Sequence, residues 1–132
     1  MDNIRLESIV LIKSLFTREA EISYENEDFK SDININIGHN IKDDKLFVSL
    51  EVAFIAGTES NKQIDITVNM LGIFIIPKLE KKALEQFVKI NAPAIIFPFI
   101  REHIANLSLK SGLQPILLPP INFIKLAKEK NN

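Results

Sequence analysis

Alternation along three stretches between positions 31 and 76 constrains the fold of this chain more than any other feature. In DININIGHN, the isoleucines Ile33, Ile35 and Ile37 alternate with Asn and Gly, and KLFVSLEVAFIAG and QIDITVNMLGIFII continue the same period. A period of two is typical of a strand that buries one face. Only short polar turns separate the three stretches, so we expect three antiparallel neighbours. A further strand is predicted within residues 4–24, where a helix through the first part is the alternative.

The period changes to that of helices after Pro77. LEKKALEQFVKIN places five apolar residues on one helical stripe, and we expect this helix to end at Asn91. Pro93 can begin the next segment, and apolar residues at helical spacing predict a second helix over 95–111. Pro98 either lies in the first turn of that helix or kinks it. Asn122 can cap a last short helix, FIKLAKEK.

Strands followed by helices indicate an α+β fold. We predict a single domain over 1–132, with a four-stranded antiparallel sheet and two to three helices packed on one face. A chain of 132 residues can bury a sizeable core, and its aliphatic composition suits one.

Charge and cysteine content exclude several functions. The formal net charge is -1, which gives no electrostatic attraction to nucleic acid or to an anionic membrane. There is no cysteine, so disulfides and thiolate chemistry are excluded. His39 and His103 are the only histidines, and no catalytic or phosphate-binding motif is present, so we expect no metal, no cofactor and no enzyme activity. The N-terminus does not resemble a signal peptide and the apolar runs are short, which predicts a cytoplasmic protein that does not insert into a membrane.

The segment GLQPILLPPINF, residues 112–123, is an apolar loop. Its three prolines exclude a helix or an inner strand, yet it contains several large aliphatic residues. Prolines lower the entropy of the free chain and hold such a loop extended. We therefore interpret it as one wall of an apolar trough that is open to water.

Three motifs lie in the second half of the chain: GIF at 72–74, NAPxxxFPxxRExI at 91–104 and LxPxNF at 118–123. Through these motifs, the sequence from Gln63 to Leu126 resembles the SecB family of export chaperones. The resemblance implies four antiparallel strands, two main helices and a homotetramer built as a dimer of dimers. It also implies an ATP-independent holdase that binds unfolded polypeptides in apolar grooves and can transfer them to the motor ATPase of the export channel. The adjacent Arg101 and Glu102 match a family motif, and we expect a structural ion pair there.

The resemblance and the apolar pattern together assign three groups of residues. Core packing is the alternative for each client-binding residue. At the motor-docking positions the sequence departs from the family, whose acidic surface is largely missing. The client-binding residues are Ile33, Ile35, Ile37, Ala105, Leu107, Leu117, Leu118 and Phe123; the oligomer interface is Ile66, Val68, Met70, Ile96 and Ile100; the motor-docking positions are Asp65 and Thr67.

Two other functions remain open at this point. SecB-like relatives include chaperones dedicated to one antitoxin of a toxin–antitoxin pair, and such a chain would shield one protein client. A carrier or enzyme with an apolar small-molecule pocket is the alternative from another class. It would require reactive polar groups that converge on the pocket, and the sequence shows none.

Overall fold

A computed structural model describes residues 3–130 of the chain. Four long strands form one sheet in the order β1-β4-β3-β2, and every neighbouring pair is antiparallel. The predicted hairpins are present, because β2 pairs with β3 and β3 with β4. The first strand is the one predicted within residues 4–24, and it pairs with β4 at the opposite edge of the sheet. The strands are β1 (Arg5–Arg18), β2 (Lys30–Lys42), β3 (Lys45–Gly57) and β4 (Lys62–Ile75).

The connection from β1 to β2 crosses the end of the sheet at the β3–β4 turn. The N–H of Ser23 donates to Oε1 of Gln63 at 2.8 Å, and the N–H of Glu59 donates to Oδ2 of Asp28 at 3.0 Å. These bonds hold the connection against the sheet end. In the described part of the chain, β1 and β2 are the two edge strands of the sheet.

One face of the sheet packs against a long helix. The predicted alternation is confirmed, because the side chains of β3 and β4 that share one face are buried and those on the other face are partly exposed. Gly72 lets the helix approach closely, since a Cβ atom there would lie 2.8 Å from Cδ1 of Ile96. The buried face includes Leu46, Val48, Leu50, Val52, Phe54, Ala56, Ile64, Ile66, Val68, Met70 and Phe74.

The helix does not end at Asn91 as the sequence predicted. Helix α1 (Lys81–Gln86) continues through a π-helical segment, Phe87–Asn91, into α2 (Ala92–Lys110). The N–H of Ala92 donates to the carbonyl of Phe87, which is the wider i→i−5 hydrogen bond of a π turn. The prediction that the helix ends at Asn91 was wrong, because the π turn continues the helix from Asn91 into Ala92 and Pro93. Pro98 lies inside α2 on its exposed side, so the carbonyl that its ring leaves unpaired can bind water.

The helix over Lys81–Lys110 is long and apolar enough to cross a membrane by length and composition alone. Core helices pass the same test. Here one side of the helix packs on β3 and β4, and Ile96, Ile100 and Ile104 are completely buried. Contact with the sheet therefore explains the apolar residues on one side of the helix, whereas Ile95, Phe99 and Leu109 on the other side are exposed.

The five residues assigned to an oligomer interface lie in this core. Ile66, Val68, Ile96 and Ile100 have no exposed surface, and Met70 has little. Their side chains pack between sheet and helix within one chain, so they offer no surface to a second copy. These five residues therefore belong to the core and not to the predicted interface, because the sheet face covers more of the helix than the sequence suggested.

Candidate functional site

The apolar loop is held to α2 by a buried serine. Ser108 is fully buried, and its hydroxyl donates to the carbonyl of Ala105 at 2.7 Å and accepts the N–H of Ile116 at 2.9 Å. Gly112 has a φ of 77°, which lets the chain turn sharply after the helix. The guanidinium of Arg18 donates to the carbonyl of Ser111 at 2.7 Å and fixes this corner to β1. The loop therefore has a defined position against the helix.

The loop contains both buried and exposed apolar residues. Leu117 is 67% exposed, whereas the adjacent Leu118 is 1% exposed. The ring of Phe123 is 5% exposed and packs edge-on against Phe97, with ring centroids 5.9 Å apart. Leu118 and Phe123 are thus core residues, and of these three predicted groove residues only Leu117 presents a surface.

An apolar cleft lies between β2 and the short C-terminal helix α3 (Phe123–Lys130). Ile37 and His39 of β2 form one wall, and their partners in β3, Leu50 and Val48, are buried on the helix-facing side of the sheet. The cleft has a volume of about 200 Å³. We name it the β2–α3 cleft; its other walls are Leu84, Glu85, Val88 and Lys89 of the long helix and Leu126 and Ala127 of α3.

The cleft remains open because the long helix packs on β3 and β4 and leaves β2 partly uncovered. Ile33 and Ile37 are half-buried and Ile35 is buried, so the β2 isoleucines share the inner face as the alternation predicts. Of these three, Ile37 lines the cleft. Ala105 and Leu107 are half-buried on the second half of α2, and neither lines it.

Sequence reasoning missed most of the cleft. Leu84 and Val88 were identified only as part of an apolar stripe, and Leu126 only as part of a short terminal helix. The signal was the amphipathic pattern of FIKLAKEK, which places Phe123 and Leu126 on one side of α3. The pattern does not tell which surface that side contacts.

The outer face of the sheet contains the predicted motor-docking positions. Asp65 and Thr67 lie on the β4 face opposite the helix and are half-buried. Nζ of Lys62 lies 3.5 Å from Oδ2 of Asp65, and Nζ of Lys13 lies 3.8 Å from Oε1 of Glu51 on the same face. Lysines thus neutralise both of these carboxylates. Within residues 3–130, Arg101 forms no ion pair, so the expected pair with Glu102 is not present; both side chains extend from the exposed side of α2.

A model of the family described as preprotein translocase subunit SecB matches residues 12–132. The chain belongs to the SecB family. Among curated SecB proteins, the protein-export protein SecB of Rickettsia typhi is 32% identical over 104 residues, which cover 78% of this chain and 66% of that protein. That of Dechloromonas aromatica is also 32% identical, over 78% of this chain and 68% of its own length. The matched region is thus about two thirds of the relatives' length.

Solved structures confirm the predicted SecB-like α+β fold. The SecB-like chaperone of Mycobacterium tuberculosis, determined in complex with a ChAD peptide from the HigA1 antitoxin, superposes with a TM-score of 0.80 over 92% of both chains. Its sequence is only 11% identical, so the likeness concerns the fold. A protein of unknown function from Streptococcus agalactiae is similar with a TM-score of 0.53, at 12% identity, over 89% of this chain and 97% of its own.

Proposed function

We propose that this SecB-family chain is an ATP-independent, cytoplasmic chaperone that holds unfolded or precursor polypeptides for export. The observation that carries the proposal is the open apolar cleft at the edge of a sheet whose fold is that of SecB. A cleft of about 200 Å³ is smaller than the roughly 300–1,000 Å³ of typical small-molecule sites. It suits a single apolar side chain of a polypeptide better than a small ligand, which favours a binding protein over a carrier or an enzyme.

Burial in such a cleft does not depend on sequence. Transfer of apolar surface out of water contributes about 25 cal/mol per Å² and is non-directional, so many unfolded clients can use the same site. Leu117 presents a further exposed apolar surface on the loop, and we retain it as a client contact. Among residues 3–130, β2 is an edge strand of the sheet, and an extended client can add its backbone along that edge.

Exposed apolar surface on two other elements supports assembly into a homotetramer. Strand β1 exposes five large aliphatic side chains, among them Ile12 at 58%, along a free sheet edge. Helix α2 exposes Ile95, Phe99 and Leu109 on the side away from the sheet. Monomers rarely leave apolar surfaces of this kind open to water. In our proposal β1 edges join in a dimer, and two dimers pack through their long helices.

Export is favoured over a dedicated antitoxin partner because the curated relatives similar in sequence are export proteins. The M. tuberculosis chaperone shares the fold at much lower identity, and its antitoxin peptide makes a dedicated client the second candidate. The carboxylates of the outer sheet face pair with lysines, so this face does not match the acidic surface with which the family docks the export motor. Transfer to that motor would therefore need contacts other than Asp65 and Thr67.

Light scattering tests the proposal. Reduced lysozyme aggregates as it unfolds, and the purified chain should suppress the scattering without ATP near one oligomer per client. Ala127→Phe fills the cleft and should weaken suppression about tenfold, since one large apolar client side chain loses its burial. Glu129→Phe adds the same side chain at an exposed site on α3 and serves as the matched control. Equal suppression by both variants would exclude the cleft as the client site.

A further inference from the structure

A second groove lies on the other side of α3, away from β2. Its walls come from the long helix and from α3, and its volume is about 330 Å³. Its apolar floor consists of Ile90, Ile124 and Ala127, and Ile124 is 54% exposed. Three lysines line it: Lys82, Lys89 and Lys128, together with Gln86 and one carboxylate, Glu85. We name it the lysine groove.

The lysine groove is the centre of a segregated positive charge. Residues 78–90 and 123–130 contain seven lysines and three glutamates, a net charge of +4 in a chain whose net charge is -1. Within residues 3–130, the side chains of Lys82 and Lys128 form no ion pair. Two exposed cations without partners beside an apolar floor favour a ligand that has both carboxylates and apolar groups.

The lysine groove is continuous with the β2–α3 cleft across α3. Glu85, Lys89 and Ala127 line both depressions. A helix with its side chains is about 10 Å wide, and an extended chain advances about 3.3 Å per residue, so roughly three to five residues connect the two depressions. One client segment can therefore place an apolar side chain in the cleft and carboxylates in the lysine groove.

We propose that the lysine groove selects acidic client segments, in which an apolar residue is followed three to five positions later by Asp or Glu. This rests on the proposed function, because it specifies the clients of the same chaperone site. A polypeptide fits better than a nucleic acid, since half-buried and exposed aliphatic side chains form the groove floor and continue into an apolar cleft. The salt dependence of exposed charges requires the preference to fall as ionic strength rises.

Fluorescence anisotropy with three labelled 13-residue peptides tests the proposal. The peptides share their leucine positions and differ only at three following positions, which are Glu, Gln or Lys. At low salt the Glu peptide should bind about tenfold or more tightly than the Lys peptide, since each exposed charge pair contributes up to roughly 1 kcal/mol, or about fivefold. The difference should shrink in 0.5 M NaCl.

The double variant Lys82→Gln, Lys128→Gln should remove the preference and leave the binding of the Gln peptide unchanged. The matched control Lys42→Gln, Lys110→Gln removes two exposed lysines outside the groove and should keep the preference for the Glu peptide. Equal binding of all three peptides, or loss of the preference in the control as well, would overturn the proposal while the chaperone function stands. Competition by a single-stranded oligonucleotide as effective as the Glu peptide would also overturn it, because the surface would then bind any polyanion. Absence of both peptide binding and aggregation suppression would instead reject the proposed function.

Discussion

Adjacent leucines in the apolar loop should respond in opposite ways to the same truncation. Leu118 is 1% exposed, so Leu118→Ala removes a buried side chain and leaves a cavity, which costs about 2–5 kcal/mol. Leu117 is 67% exposed, so only about a third of the roughly 1.5–3 kcal/mol of full burial is available, and Leu117→Ala should cost less than about 1 kcal/mol. For a chain of this size, the first change corresponds to a fall in Tm of roughly 8–20 °C.

Urea and thermal unfolding followed by far-UV circular dichroism measure both changes, at equal protomer concentration because assembly contributes to stability. Aggregation suppression is measured at a temperature where both variants are folded. Leu117→Ala should weaken suppression, and Leu118→Ala should leave it intact. If the two variants lost equal stability, or if Leu118→Ala alone lost suppression, the assignment of Leu118 to the core and Leu117 to the client surface would be refuted.

Two further predictions concern packing and assembly. Gly72→Ala should destabilise the chain by about 1–3 kcal/mol, because its Cβ would lie 2.8 Å from Cδ1 of Ile96. In a double-mutant cycle measured by urea unfolding, Ile96→Val should recover part of that loss. Strictly additive changes in the free energy of unfolding would contradict the close contact. Sedimentation velocity should show that Phe99→Glu converts the proposed tetramer to dimers and that Ile12→Glu prevents the dimer. Asn106→Glu, an exposed control on the same helix as Phe99, should have no effect. An unchanged mass for all three variants would reject the proposed assembly.

The sequence alone determined that this protein combines an antiparallel sheet with helices packed on one of its faces. Alternation is a local property, since side chains of a strand point to opposite faces, and it identified the buried faces of β3 and β4 before any contact was known. The change to helical spacing after Pro77 and the glycine at position 112 were equally local. The motifs over 72–123 also indicated the family, because they combine residues whose spacing is fixed by the fold.

Only the tertiary structure decided which apolar surfaces are covered. The sequence could not separate Leu117 from Leu118, or assign Ile66 and Ile96 to the core, because burial depends on what another segment places over a face. It also could not show that a π turn joins two predicted helices, or that α3 lies beside β2 and creates a cleft. Local pattern fixes the direction of a side chain, whereas its contacts depend on residues far away in the sequence, such as Leu84 and Leu126 around Ile37.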